Sequence, residues 1–434
     1  MNAGTINGSL YGGALGSNTV AANVNGSVQV AVYGGTVNTT SASGSGAVYG
    51  CNNINGAPQS TVNVDIYGTD PAPSADVFAL DAVYGGGNMA NYDAGTPVVV
   101  VHNCDNSIGY VYGGGNAAHI TNGNTDVTIY GGNTIGNVFG GGNGQVKAAN
   151  ISGNTNVKIY GGTIGEVYGG SNTNGTIGGT ISVNVNAQAE TDHDACPIDI
   201  DNVYGGGNKA PSNAGNVIIG CAEHIGAVYG GANQANITGN INLSISSGHI
   251  DNVFGGNNNS GEISGNITVT VHDSGNTCGM EIGNVFGAGN LATYGNGGNY
   301  PVVNILNGTI SGNVFGGGKG DSTDNTHTMG SVIGNPQVAI GDYESGHKVV
   351  IKGDVYGGGD LAAVEGSPTV TIRDCDTEID GNLYGGGNAA PVYSTTTTVW
   401  GGTIKGNVFG GGNGVDRTKN EHGAQVGYKS GDTE

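Results

Sequence analysis

Hydrophobic and polar positions along this chain fall into two short patterns, repeated with little change from one end to the other. One reads Val-[Tyr/Phe]-Gly-Gly-Gly-Asn, as in Val83-Tyr84-Gly85-Gly86-Gly87-Asn88 and Val138-Phe139-Gly140-Gly141-Gly142-Asn143. The other lies upstream and alternates with period two. Examples are Val127-Thr128-Ile129-Tyr130-Gly131-Gly132, Val157-Lys158-Ile159-Tyr160-Gly161-Gly162 and Val399-Trp400-Gly401-Gly402. Alternation of that period is what a half-buried strand requires. A shorter apolar element, such as Ile151-Ser152-Gly153 or Ile237-Thr238-Gly239, comes before it. Each repeat therefore predicts three short strands joined at Gly, Asn or Asp corners, residues that tolerate positive φ. No window carries a capped helical period, and 89 glycines among 434 residues weigh against helix by about 1 kcal/mol at each site.

The aromatic of the first pattern falls at Tyr11, Tyr49, Tyr84, Tyr112, Phe139, Tyr168, Tyr204, Tyr229, Phe254, Phe286, Phe315, Tyr356, Tyr384 and Phe409, which makes 14 copies. The shortest interval is 25 residues and the others are longer. A floor with excursions above it is the signature of a stacked coil with loops inserted into a fixed rung. The residue before the aromatic is always Val or Leu, the residue after it is always Gly, and an Ile usually stands four or five positions upstream. The prediction is an all-β, right-handed parallel β-solenoid of about 14 rungs over residues 1–413. A polar tail or partial rung follows over 414–434. The hand follows from the chirality of parallel crossovers. Rungs about 4.8 Å apart would make a rod roughly 65 Å long. Glycine does not recur every third residue, which excludes collagen.

Stacking makes columns of like residues. The fourth position after the aromatic gives Asn88, Asn116, Asn143, Asn172, Asn208, Asn233, Asn258, Asn290, Asn388 and Asn413. Such a column predicts an amide ladder between rungs. Lys352, Asp380 and Lys405 alternate in charge up another column. If the Val beside each aromatic points inward, the rings point outward as a stripe able to stack on sugars or on a second solenoid. If the rings point inward, the ladder is purely structural.

Charged residues are only 10% of the chain, and the formal net charge is −22 with 11 Lys and Arg. That balance argues against nucleic acid or an anionic membrane as partner. No apolar run approaches the length of a membrane span. The start lacks the basic and apolar regions of a signal peptide. Gly4-Thr5-Ile6-Asn7-Gly8-Ser9-Leu10-Tyr11 matches Gly402-Thr403-Ile404-Lys405-Gly406-Asn407-Val408-Phe409 column by column. The chain is therefore expected to begin within a rung and to be a segment of a longer protein.

Cys104, Cys196, Cys221, Cys278 and Cys375 each stand four residues before a rung's Ile, while Cys51 takes a Gly position. A shared column suggests small buried thiols. Cys196 and Cys221 lie on adjacent rungs, within reach of a disulfide. His193, Cys196, Cys221 and His224 are also four candidate zinc ligands on those rungs. Asp199, His224, His249 and Glu281 form an acid-His-His-acid column, read as a solvated face or a metal or pH-responsive site. Asp374, Asp376, Glu378 and Asp380 alternate and would share a face, offset by calcium or by Lys352 and Lys405. No dinucleotide or phosphate loop and no nucleophile elbow is present. No catalytic constellation can be assembled, so the chain is not read as an enzyme.

With Val-Tyr-Gly-Gly-Gly-Asn preceded by Ile-Gly-Asn, the chain resembles the glycine-rich repeat surface proteins of bacteria, the adhesin-like β-solenoids. The resemblance extends from Gly4 to Asn413. It implies secretion to the extracellular space or cell surface, and a structural or adhesive role in a fibre, stalk or matrix. Partners would be further copies, end to end or side by side, or glycans of a host surface. The alternative is a glycan-binding or polysaccharide-degrading β-helix module. No cofactor is expected beyond calcium.

Overall fold

A computed structural model describes all residues except 38–45, 73–76, 189–195, 214, 296–299, 345, 415–423 and 428–434. The chain divides into two compact units, Met1–Gly215 and Asn216–Glu434. Each is a parallel β-solenoid holding seven of the aromatic copies. Among the described residues there is no α-helix, and so none long and apolar enough to cross a membrane.

In the first unit, strands Ser107–Tyr112, Thr134–Phe139, Gly162–Tyr168 and Ile198–Tyr204 pair in parallel. Their register sets Ile108 beside Ile135, Ile164 and Ile200, and Val111 beside Val138, Val167 and Val203. The alternating pattern forms a second parallel sheet from Val98–Val101, Thr125–Ile129, Thr155–Ile159 and Ile181–Val185. The short third element contributes single bridges from Tyr92 to Ile120, Ile151 and Ile177. Register is this strict because a slip of one residue would turn every apolar side chain to the wrong face.

The second unit repeats the plan. Its aromatic strands include Gly248–Phe254 and Met280–Phe286, and its second sheet includes Ile241–Ile245 and Ile267–His272. Where the Ile lies five residues before the aromatic, the strand breaks in two, as in Val349–Ile351 and Val355–Tyr356. The extra residue forms the break, and pairing resumes on both sides of it. Val426 bridges Val392 in the third column, so that column extends to Val426.

The core is thin. Inward Val and Ile columns, including Val127, Ile129, Ile135, Val138, Ile151 and Ile159, are buried. The invariant Gly after each aromatic faces the second sheet directly. A Cβ on Gly140 would fall 3.0 Å from Val157 Cγ2 and 2.4 Å from the carbonyl oxygen of Gly169 in the next copy. The φ of Gly140 is not positive. Close approach, and not backbone conformation, is what excludes a side chain there. Thr125 and Thr155 use the same proximity, donating from Oγ1 to the carbonyls of Gly140 and Gly169 at 2.6 and 2.7 Å.

Replacing Gly140 with Val should therefore lower stability by about 2 kcal/mol or more, through overpacking that the backbone cannot relieve. Gly26 has open space around it and an ordinary φ, so Gly26→Ala should leave unfolding nearly unchanged. Thermal unfolding of the two variants checks this; equal midpoints would show that the glycine column is not set by packing.

Candidate functional site

The aromatic column is continuous within each unit. Rings from Tyr11 to Tyr204 stack with centroids 4.6–4.9 Å apart. Those from Tyr229 to Phe409 stack at 4.8–5.0 Å. The expected choice between an inward Val and an inward ring does not arise, because both are buried. Val111 and Val138 are buried on one side of the strand, and Tyr84, Tyr112, Phe139, Tyr168, Tyr204, Tyr229, Phe254, Phe286, Phe315, Tyr356 and Tyr384 on the other. Phe409 alone of the singled-out rings is exposed, at 43%. An open stripe for sugar stacking is thus not what this column provides.

The asparagine column closes over the ring edges. Asn88 donates to Asn53, Asn116 to Asn88, Asn143 to Asn116, Asn172 to Asn143 and Asn208 to Asn172, at 2.8–3.0 Å. In the second unit Asn258 donates to Asn233 and Asn290 to Asn258, at 3.1 and 2.9 Å. Lys319 interrupts the column. It resumes where Asn388 donates to Asp360 and Asn413 to Asn388, at 2.7 and 2.9 Å. The phenols join in: Tyr84 donates to Asn116 and Tyr112 to Asn143. Burial pushes both phenols well above the ordinary tyrosine range.

The cysteines correct the sequence reading. Cys196 and Cys221 do not pair with each other. Cys104 bonds Cys196 and Cys221 bonds Cys278. Both bridges skip copies, and both sit at the corner between the second sheet and the aromatic sheet. Cys196 lies over the Gly131 and Gly161 corners, where a Cβ on Gly131 would lie 2.4 Å from Cys196 Sγ. The other bridge passes the Ser247-Gly248 corner; Ser247 Oγ and Gly248 N both donate to the carbonyl of Gly279. Simple stacking of adjacent rungs missed this because insertions fold back. Cys51 stays a buried thiol, raised by that burial, and Cys375 is exposed.

The zinc set fails for the same reason: Cys196 and Cys221 are each spent in a separate disulfide. His193 lies outside the described residues. His224 is exposed, with Nε2 3.4 Å from Asp251 Oδ2. Asp199, His249 and Glu281 are exposed as well, with His249 beside Glu281 in register. The acidic run is not one strand face. Only Thr377–Ile379 is strand. Asp374 caps a turn instead, accepting from the Asp376 amide and Thr377 Oγ1, and from the amides of Asp342 and Tyr343. Glu378 meets Lys405 and Lys348, which hold its carboxyl down to about 2. Lys405 also pairs with Asp380 at 2.7 Å.

The structure holds a second aromatic column that the repeat pattern does not single out. Tyr33, Tyr67, His102, Tyr130 and Tyr160 stack in turn at the corner after the second-sheet strand, with centroids 4.7, 4.1, 6.0 and 5.3 Å apart. His102 Nε2 also sits 2.9 Å from Asp65. Tyr33 is exposed, Tyr67, His102 and Tyr130 are half-buried, and Tyr160 is buried. The signal was the aromatic in Ile129-Tyr130-Gly131 and Ile159-Tyr160-Gly161. In the second unit the exposed Trp400 and Tyr343 flank a shallow cleft of about 520 Å³ with Arg373, Glu344 and Asp376. Tyr343 takes a positive φ of 67°, an uncommon state for a non-glycine residue.

Gly131→Val should prevent the Cys104–Cys196 bridge while sparing Cys221–Cys278. Peptide mapping without reduction should then find Cys104 and Cys196 as free thiols. Loss of the bridge removes a constraint on a long loop, about 4 kcal/mol in the chain-entropy picture. An intact bridge in the variant would contradict the corner geometry. In comparisons with known proteins, no family model, no curated protein and no solved structure matches this chain.

Proposed function

We propose that this chain is a structural and adhesive repeat element of an extracellular assembly, contributing to a fibre, stalk or matrix at a cell surface. The observation that carries this reading is the pair of copy-skipping disulfides, Cys104–Cys196 and Cys221–Cys278. Disulfides persist in oxidising compartments and are rare where thiols are kept reduced. The side chains of the repeat support the same reading. Its rings and amides are committed to joining one copy to the next, as a scaffold requires. Self-association belongs to this reading, since the ladders that join copies within each unit are chemistry a second chain can supply equally. The partly exposed Tyr33, Tyr67, His102 and Tyr130 column adds a polar-tipped aromatic surface for contact with other molecules.

A second reading, a glycan-binding module, is favoured by the cleft between Trp400 and Tyr343. Exposed aromatics beside Arg373 and Asp376 offer an apolar face with polar groups at its edge.

Antibody labelling of intact cells that make the protein tests the first reading. Label should reach unpermeabilised cells and be removed by external protease; label appearing only after lysis would overturn it. Trp400 is the chain's single tryptophan, so its fluorescence reports the cleft. A saturable change with an oligosaccharide, abolished by Tyr343→Ala, is the result expected of the second reading. No response across neutral and acidic oligosaccharides would dismiss it.

A further inference from the structure

Both disulfides lie at one corner of the coil, where a connection folds back across a small-residue turn to an earlier copy. The corner hosts a third cross-contact of the same layout, and it contains no cystine. His272 ends strand Ile267–His272, where the register shifts against Pro301–Ile310. The connection between Gln337–Ile340 and Val349–Ile351 belongs two copies later. It brings Asp342 and His347 back to His272, past Asn307 and Gly308 of the strand Pro301–Ile310. One ligand atom from each of the three side chains lies within 4.8 Å of the other two.

The three groups are half-buried and already oriented. His347 Nδ1 is 2.7 Å from Asp342 Oδ2. The His272 and His347 rings meet edge to face, with centroids 5.0 Å apart. The Glu344 amide donates to Asp342 Oδ1 at 2.9 Å, which fixes the carboxylate and leaves Oδ2 to His347. The connection is anchored from both sides. Asp374 accepts from the amides of Asp342 and Tyr343, and the Lys348 amide donates to Asn307 Oδ1 at 3.2 Å. Gly308, within the strand being crossed, takes a φ of 110°, a backbone state that favours glycine.

We propose that His272, Asp342 and His347 bind a zinc ion, which clasps Asp342 and His347 to the earlier copy as the cystines clasp their own copies. Two imidazoles and one carboxylate suit a borderline divalent transition ion. Calcium takes six to eight oxygen ligands, and only one of these three residues supplies oxygen. Tetrahedral zinc with bonds of about 2.0 Å sets its ligand atoms about 3.3 Å apart. The observed atoms lie within 4.8 Å of one another, so the widest gap need close by at most about 1.5 Å. The contact between His347 Nδ1 and Asp342 Oδ2 occupies the place that the ion would take on binding. A fourth position stays open to water.

The probe is zinc itself, added to chelator-treated full-length protein and followed by calorimetry. His272→Ala, Asp342→Asn and His347→Ala should each weaken one zinc equivalent by at least about tenfold. His102→Ala changes the imidazole at the equivalent corner of the first unit, and it should leave that equivalent untouched. Cobalt substitution should give the intense visible bands of a four-coordinate ion, lost in the same three variants. Zinc should also raise the unfolding midpoint of the unaltered chain and not that of Asp342→Asn, whose similar shape preserves the fold should an alanine variant fail to fold. Zinc binding that is equal in the unaltered chain and Asp342→Asn would overturn the proposal, as would an equal loss in His102→Ala or saturation by calcium in place of zinc.

Discussion

Everything in this protein depends on each residue having a near-identical neighbour about 4.8 Å along the coil. Parallel strands in strict register hand every side chain the same companion in the next copy, so a residue survives in a column only if it tolerates itself. Val and Ile do so by packing, aromatic rings by stacking, and amides by donating to the next amide. Charges do not, which accounts for a chain only 10% charged. Where charges enter a column they come as opposites, as with Lys405 and Asp380. Glycine is the extreme case. At Gly140 the next copy's carbonyl and the facing sheet together leave no space for a methyl group.

The same constraint explains what could be read in the sequence. Columns are a property of spacing, and spacing is written directly in the chain. The strands, their parallel register and the amide ladder from Asn88 to Asn208 all follow from aligning one aromatic. The burial of both strand faces was not legible, because period two distinguishes two sides without saying what covers each. Val and ring take opposite sides of the strand, and the asparagine column and the stacked neighbours cover the ring side. The corner aromatics Tyr130 and Tyr160 were visible as letters, but nothing marked them as a column distinct from the first.

Insertions set the other limit. A connection that lengthens a copy carries no register, so its residues can return to any earlier copy. Cys196 was matched by spacing to Cys221, but its connection carries it to Cys104. Asp342 and His347 meet His272 across 70 and 75 positions of sequence, with no periodicity to announce it. The acidic run from Asp374 to Asp380 read as strand because its letters alternate. In fact its first carboxylate closes a turn by accepting from amides of two different copies.

The placement of the two cystines has a mechanical consequence. Tension applied between the ends of the chain enters at Cys104 and leaves at Cys196 through two sulfur atoms, and it does the same between Cys221 and Cys278. The stretches between these cysteines, which stand 92 and 57 positions apart, are therefore bypassed and need not unravel for the rest to extend. Each bypass encloses whole copies whose hydrogen-bonded ladders stay folded under pull. They remain as templates on which neighbouring copies can re-form once the pull is released. Reduction would convert those protected stretches into slack, so the oxidation state of four sulfurs sets how far this chain can be drawn out.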